Sequence, residues 1–454
     1  PLFSGKGSFV FESVKGPEKI ARYSFIGFDP YLSLRGKEGR TEVGSGTSQS
    51  ISYADPLKLL GELLGGYAQR PADELPPFQG GAAGLFSYDF ARYLERLPDT
   101  TIDDLGIPDA HFFFVDRVIA FDHKDKKAWA IVCPGVRRRA YIDAGLWYAE
   151  AESVLGEICG RIESAAWKDS PCTLHPVKTG TEIVHGMTKR EYMDMVIRAK
   201  EYIAAGDIFQ ANLSHRISSH IGGADPWDLY RILRTVNPSP FAGFVDFGDY
   251  CIVSSSPERL VKVKDGIVET RPIAGTRPRG RDRGEDEKMR EELLLNEKER
   301  AEHIMLIDLE RNDLGRVCTY GSVEVDELMI TEDYSHVIHI VSNVRGMLME
   351  RKTRMDVIRA VFPGGTITGV PKVRCMEIID ELEPVRRGPY TGSLGYLGFS
   401  GVMDMNIIIR SFVVKNTQAY VQVGAGIVTD SDPEREYHET LKKAEALIAS
   451  LGRC

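Results

Sequence analysis

Apolar and polar residues alternate over short runs along the first third of the chain. GSFVFESV, ARYSFIGFDPYLSLRG, GGAAGLFSYD, DAHFFFVDRVIAFDH and KAWAIVCPG each show a period near two between turn residues, which predicts β-strands. Helical spacing interrupts them at DPLKLLGELLGGY and AYIDAGLWYAEAESVLGEICGRI. The stretch SAAWKDSPCTLHPVKTGTEIVHG has no clean period and reads as a connector. The pattern therefore divides the chain into a β-rich N-terminal lobe over 1–160, a connector over 161–187 and a larger domain over 188–454. That domain opens on TKREYMDMVIRAKEYIAAGD, where Thr188 and Glu191 predict a capping box. Tyr192, Met195, Val196, Ala199 and Ile203 form one apolar stripe, and Gly206 closes the helix. Further on, CIVSSSPERLVKVKDGIVETRPIAG predicts a hairpin turning at Asp265-Gly266, and GSLGYLGFS, MNIIIRSFVVKN and QAYVQVGAGIV predict consecutive strands. Meanders with helices grouped between them define an α+β fold with antiparallel sheets, not a doubly wound one.

Two predicted helices carry matched carboxylates. Glu299 and Glu302 lie in NEKERAEHIMLIDLERNDLGR, and Glu436 and Glu439 in SDPEREYHETLKKAEALIAS. A spacing of three places each pair on one helix face. Alone, either pair is more simply a solvated charged face. Together they would make an oxygen-rich site for a hard cation, and Mg2+ suits it because it keeps waters and is completed by an anionic substrate. The neighbourhood strengthens this reading, since the second pair is preceded by the glycine run GAGIV and followed by Lys443.

Composition narrows the function classes. The chain has 454 residues, 43% hydrophobic and 27% charged, with a net charge of −9. A negative balance argues against nucleic acid as the main partner. No apolar run approaches the ~18 residues of a membrane span, and PLFSGKGSFV shows no basic-then-apolar leader pattern. Seven cysteines are scattered without a C-x-x-C pair, the pattern of a reduced, cytoplasmic protein without a zinc ribbon or disulfide frame.

Six motifs in order then converge: RPIAGTRPRG, DLERNDLGRVC, YSHVIHIVSNV, FPGGTITGVPK, ELEPVRRGPYTGSLGY and GAGIVTDSDPEREYHET. Together they resemble the chorismate-utilising enzymes, a family that includes anthranilate, aminodeoxychorismate, isochorismate and salicylate synthases. The resemblance is dense over 188–450. It is looser before that, where FES, ARYSFIG and GGAAGLFSYD resemble only the ammonia-using members. It implies an anthranilate synthase-like fold, a large sandwich of antiparallel sheets with flanking helices.

The resemblance also implies roles. Glu302 and Glu439 resemble the direct Mg2+ ligands, with Glu299 and Glu436 acting through bound water. Arg410 resembles the arginine that grips a substrate carboxylate, a task suited to a fork of donors, and Tyr390 a tyrosine on the same side of the substrate. Gly424, Ala425 and Gly426 would let backbone N–H groups approach that carboxylate. Gly275, Thr276 and Thr366 resemble further substrate contacts, and Lys443 the lysine near the pyruvyl carboxylate. Glu258, in SSSPERL, is expected to protonate the departing C4 hydroxyl, since hydroxide is a poor leaving group. His339 resembles the histidine beside the ring, although a lone His on an apolar strand is more often a satisfied core residue.

Two positions bear on the nucleophile. Gln210 stands where water-using members have a lysine base; ammonia has its own lone pair and needs none, so Gln210 points to an ammonia user. Ala274 stands where many aminodeoxychorismate synthases carry a lysine able to attack the ring, and alanine is the anthranilate synthase residue. Against that, FPGGTITGVPK resembles the aminodeoxychorismate form, NPSPFAGFVDFG lacks the Tyr-Met of tryptophan-regulated anthranilate synthases, and VFES departs from their Leu-Leu-Glu-Ser. The expectation is C4 amination of chorismate with ammonia from a glutamine amidotransferase subunit, a lyase then releasing p-aminobenzoate for folate synthesis. C2 amination to anthranilate is the alternative, and a ligand-binding subunit without catalysis a second one.

Overall fold

The structure is a computed structural model that describes residues 5–46, 48–137, 143–165, 182–334 and 337–453. Most of the expected connector, residues 166–181, lies outside them.

The alternating runs form strands, and every ladder between the named strands is antiparallel. Among the described residues they assemble into two large sheets. The first runs from Gln210–His220 through Gln418–Ile427, Ser411–Lys415, Cys251–Ser256 and Phe241–Asp246 to Phe9–Glu12, Tyr23–Gly27 and Arg117–Asp122. The second runs from Ile273–Pro278 through Val337–Met347, Ile267–Thr270, Arg259–Lys264, Met403–Asn406 and Ser393–Gly398 to Gly81–Phe86 and Ala110–Val115. Strands from 1–160 and from 188–454 are thus hydrogen-bonded neighbours in both sheets. Val10 sits opposite Phe244, and Gly84 opposite Gly395.

An aromatic-rich core, with Phe9, Phe25, Phe78, Phe113, Phe247 and Tyr396, fills the space between the sheets. Tyr396 lies tilted against Phe78 with ring centroids 4.6 Å apart and meets Phe25 edge-on at 5.4 Å, the latter a geometry that rings favour. Helices Pro226–Val236 and Pro433–Leu451 cover the outer face of the first sheet, and Pro56–Gly65 and Arg354–Val361 cover that of the second.

One expected element is different. MNIIIRSFVVKN is not a continuous strand: Met403–Asn406 belongs to the second sheet, Ser411–Lys415 to the first, and the chain crosses between sheets over 407–410. Arg410 takes a left-handed φ of 52° there, which no apolar periodicity could announce. A second crossing lies beside it, where Cys251–Ser256 leaves the first sheet and Arg259–Lys264 enters the second, with Glu258 between them. The two crossings are tied together, the Ile407 N–H donating to the Glu258 carbonyl at 3.0 Å and the Ser255 N–H to the Arg410 carbonyl at 3.2 Å.

Candidate active site

Glu258 sits at that crossing, 6% exposed. Burial pushes its carboxyl up to about 8, with the nearby Glu310 carboxyl adding to the shift. Thr366, in the 3-10 turn Gly365–Ile367, lies beside Glu258 and pulls the other way, although its buried hydroxyl oxygen has no well-formed hydrogen bond. At neutral pH Glu258 is therefore an acid with a proton to give.

Strand Ile273–Pro278 supplies the next group. Its register against Val337–Met347 slips between Ala274 and Thr276, and Gly275, at φ 64°, is the bulged residue. A Cβ there would lie 2.6 Å from Glu299 Oε2 and 2.9 Å from Leu293 Cδ1, so only glycine lets the strand pass the glutamate. His339 Nδ1 lies 3.2 Å from the Gly275 carbonyl and 3.0 Å from the Thr276 hydroxyl. Burial lowers its pKa to about 4, so the ring is neutral at physiological pH.

Helices Glu297–Gly315 and Pro433–Leu451 form where the carboxylates require them, capped by Asn296 and Asp432. Arg277 bonds Glu299 Oε1 at 2.7 Å, and Gln210 Nε2 donates to Glu302 Oε1 at 2.9 Å. Lys443 bonds Glu439 at 2.8 Å. Burial raises the pKa of Glu436, and Glu439 adds to the shift. Among the described residues no three carboxylate, imidazole or thiol side chains gather closely enough to grip an ion. The donor set nevertheless suits Mg2+: it is all oxygen, and Glu299 Oε2 is buried without a hydrogen-bond partner beside the space that Gly275 leaves. The residues fit the ion, with neighbouring cations now holding two of the four.

The opposite wall is strand Gln418–Ile427. A Cβ on Gly424 would come within 2.7 Å of Asn212 Oδ1 and 2.9 Å of the Tyr390 hydroxyl. Ala425 points the other way, its methyl in the main core, so it offers the site only its backbone. Lys443 Nζ reaches the Gly424 carbonyl at 3.0 Å, and Arg410 Nη1 donates to the Lys443 carbonyl at 2.6 Å. Burial lowers the Arg410 pKa, with Tyr390 and Glu439 pulling it the other way. The half-buried Arg410 guanidinium offers a planar fork of donors of the kind a carboxylate accepts from.

Sequence reasoning passed over several residues here. Arg387 forms a buried pair with Glu383 and also donates to the carbonyls of Ile367 and Asn212, tying the Thr366 turn, the Gln210 strand and the Tyr390 loop to one point. Glu310 lies within DLERNDLGR. Its carboxyl is buried, accepts from Thr270 at 2.9 Å and is shifted upward by burial and by Asp313, which pairs with Lys372. Motif recognition covered all these segments, but only three-dimensional neighbours single out the residues. No helix among the described residues is long and apolar enough to cross a membrane.

Residues 7–449 match the family model described as chorismate binding enzyme. The chain is 45% identical to anthranilate synthase component 1 of Acetivibrio thermocellus, covering 98% of this chain and 90% of that protein. It is 44% identical to aminodeoxychorismate synthase component 1 of Bacillus subtilis (strain 168), covering 99% and 92%. The crystal structure of anthranilate synthase component I from Streptococcus pneumoniae TIGR4 superposes with a TM-score of 0.83 at 36% identity, covering 94% of this chain and 92% of that one. This is a chorismate-utilising enzyme, and the chain belongs to the chorismate-binding enzyme family.

Proposed function

We propose that this protein aminates chorismate at C4 with ammonia, giving 4-amino-4-deoxychorismate, as an aminodeoxychorismate synthase component I. The observation that carries the choice is the packing of the Gly364-Gly365-Thr366 turn. A Cβ on Gly364 would come 3.0 Å from Ile407 Cδ1 and 3.3 Å from Leu260 Cδ1, so the alanine of the P-A-G-T form would press on the turn that brings Thr366 to Glu258. Support also comes from Ala242, 2% exposed and opposite Glu12 and Ser255, where a tryptophan-regulated enzyme has its Tyr-Met.

In this reading Arg410, Lys443 and the Gly424–Gly426 backbone orient the substrate carboxylates. Glu302 and Glu439 would hold Mg2+ directly and Glu299 and Glu436 through water, and the ion would supply positive charge to a substrate carboxylate. Glu258 gives its proton to the C4 hydroxyl, the C4–O bond breaks and water departs. The lone pair of ammonia forms the C4–N bond, and the resulting ammonium returns one proton to the Glu258 carboxylate. Ala274 offers no nucleophile, so amination is direct. Gln210, donating to Glu302, keeps a neutral amide where a base would activate water. Neutral His339 lies beside the ring. Ammonia comes from a glutamine amidotransferase subunit, and a separate lyase acts on the product toward p-aminobenzoate and folate, in the cytoplasm.

The test is product analysis with chorismate, Mg2+ and an ammonium salt, without lyase. We expect a non-fluorescent product that retains its enolpyruvyl group and yields p-aminobenzoate only after lyase is added. Pyruvate released in step with fluorescent anthranilate would overturn C4 amination. That second reading, amination at C2, is favoured by Ala274 and by the names of two of the three relatives above.

A further inference from the structure

Glu258 has a carboxyl neighbour that takes no part in the mechanism. Glu310, on the helix Glu297–Gly315, is buried to the same degree, at 5% exposure against 6%. The same two segments hold both side chains. The chain over 270–273 sets the Thr270 hydroxyl on Glu310 Oε2 at 2.9 Å and brings the Ile273 N–H to Glu258. The turn Gly365–Ile367 brings the Gly365 N–H to Glu310 and, one residue on, Thr366 to Glu258. Only glycine lets that turn lie so close on the helix, because a Cβ on Gly365 would collide with Leu309 Cδ2. The two carboxyls are not equally supplied. Glu310 accepts a well-formed bond from Thr270 and has Lys372 near it, whereas the Thr366 hydroxyl facing Glu258 makes no well-formed bond. Two carboxylates side by side and away from water do not both ionise readily. The better-supplied one ionises first, and its charge then opposes ionisation of the other.

We propose that Glu310 is a positioning residue for the general acid: its carboxylate, fixed beside Glu258 by Thr270 and Gly365, keeps the proton of the pair on Glu258. The other ionisable groups around the pair are committed elsewhere. Asp313 pairs with Lys372, with Arg316 beyond them. Tyr334, which faces Glu258, is kept neutral by burial and donates its hydroxyl proton to Glu332 at 3.2 Å. The direction of the shifts agrees: burial raises both carboxyls, and Glu310 adds to the rise at Glu258. The pair also serves the second half of the reaction. Once Glu258 has given its proton to the departing hydroxyl, two carboxylates face each other, and their repulsion favours return of one proton from the ammonium formed at the ring. The inference rests on Glu258 being the acid, and it holds whichever ring carbon is aminated.

The test is a pH series of kcat, read as chorismate consumption at saturating chorismate and Mg2+ with free NH3 held constant. Glu310→Gln keeps an oxygen for Thr270 and removes the charge. Its falling limb should move from about 8 to lower pH by about one unit, a tenfold easier ionisation of Glu258, while kcat on the acid side stays within about twofold of wild type. A merely structural Glu310 would lower kcat at every pH and leave the limb in place. Thr270→Val leaves Glu310 present but removes its donor, so Glu310 keeps its own proton longer and the limb should move the same way by less. Glu310→Asp restores the charge and should bring the limb back toward wild type. Circular dichroism checks that each variant is folded. A limb unmoved in both Glu310→Gln and Thr270→Val would overturn the proposal, as would an equal shift in Glu310→Gln and Glu310→Asp. Near-normal turnover in Glu258→Gln would remove the acid assignment and this inference together; an inactive Glu258→Gln with unmoved limbs in the other variants would remove this inference alone.

Discussion

A carboxyl that must release a proton at neutral pH has to keep it until then, and burial arranges this for Glu258. Its value of about 8, against an ordinary 4.5, is caused first by desolvation and then by Glu310. Two consequences follow. With free ammonia held constant, kcat should fall as pH rises through about 8, because the acid form is lost. Replacement by Gln keeps the shape and removes the proton, so kcat should drop about 10²–10⁴-fold while chorismate binding changes little. A pH–rate series on wild type and Glu258→Gln checks both, and near-normal turnover in the variant would move the role elsewhere. The sign for stability is fixed as well. Between 4.5 and about 8 the folded state holds a proton that the unfolded chain has lost, so Glu258 costs stability increasingly as pH rises through that window.

Elements with local signals were legible in the sequence. The helix Lys189–Ala205 has its Thr188–Glu191 capping box and a left-handed Gly206 at φ 82°, and the hairpin turns at Asp265 and Gly266, both at positive φ. The carboxylate helices and the strands bearing Gly275 and Gly424 were equally readable, because motif and periodicity are properties of neighbouring residues. Pairing over long separations was not. Nothing local says that Phe9–Glu12 lies against Phe241–Asp246, or that 407–410 crosses between sheets and turns Arg410 inward. The ion pairs of Arg277 and Lys443 were hidden for the same reason, since four-glutamate spacing says nothing about what already holds the oxygens. The bulge at Gly275 shows how one residue joins the two kinds of information. Gly275→Ala would force a left-handed Cβ against Glu299 and Leu293, and we expect a cost of about 1–3 kcal/mol together with weakened Mg2+ binding. Denaturant unfolding with an ion titration measures it; an unchanged midpoint and affinity would show that the bulge can absorb the methyl.

For the whole molecule the question is where ammonia comes from. Using glutamine directly requires a thiolate to attack the side-chain amide, and a thiol does so only when its surroundings lower its pKa. The buried Cys133, Cys318 and Cys375 and the half-buried Cys251 are held the other way: burial raises Cys133, Cys251 and Cys375 to about 12 and Cys318 to about 11. Cys133 donates to the Gln79 carbonyl and Cys375 to the Gln210 carbonyl, so both act as small core residues with a satisfied S–H. No cysteine in the sequence sits in a G-x-C-x-G nucleophile turn. The purified chain should therefore aminate chorismate with ammonium salts but not with glutamine, and adding a glutamine amidotransferase subunit should confer glutamine-dependent turnover. The ammonium reaction should gain from rising pH while unprotonated NH3 increases, level off once Glu258 begins to lose its proton near 8, and fall only where ammonium itself is mostly NH3, giving a bell-shaped profile at fixed total ammonium. In the glutamine-fed complex ammonia is produced at the partner, so the rising limb should flatten and the fall should begin near 8, where Glu258 alone sets it. The paired pH profiles measure this, and robust glutamine use by the chain alone would sink the idea of a separate ammonia source.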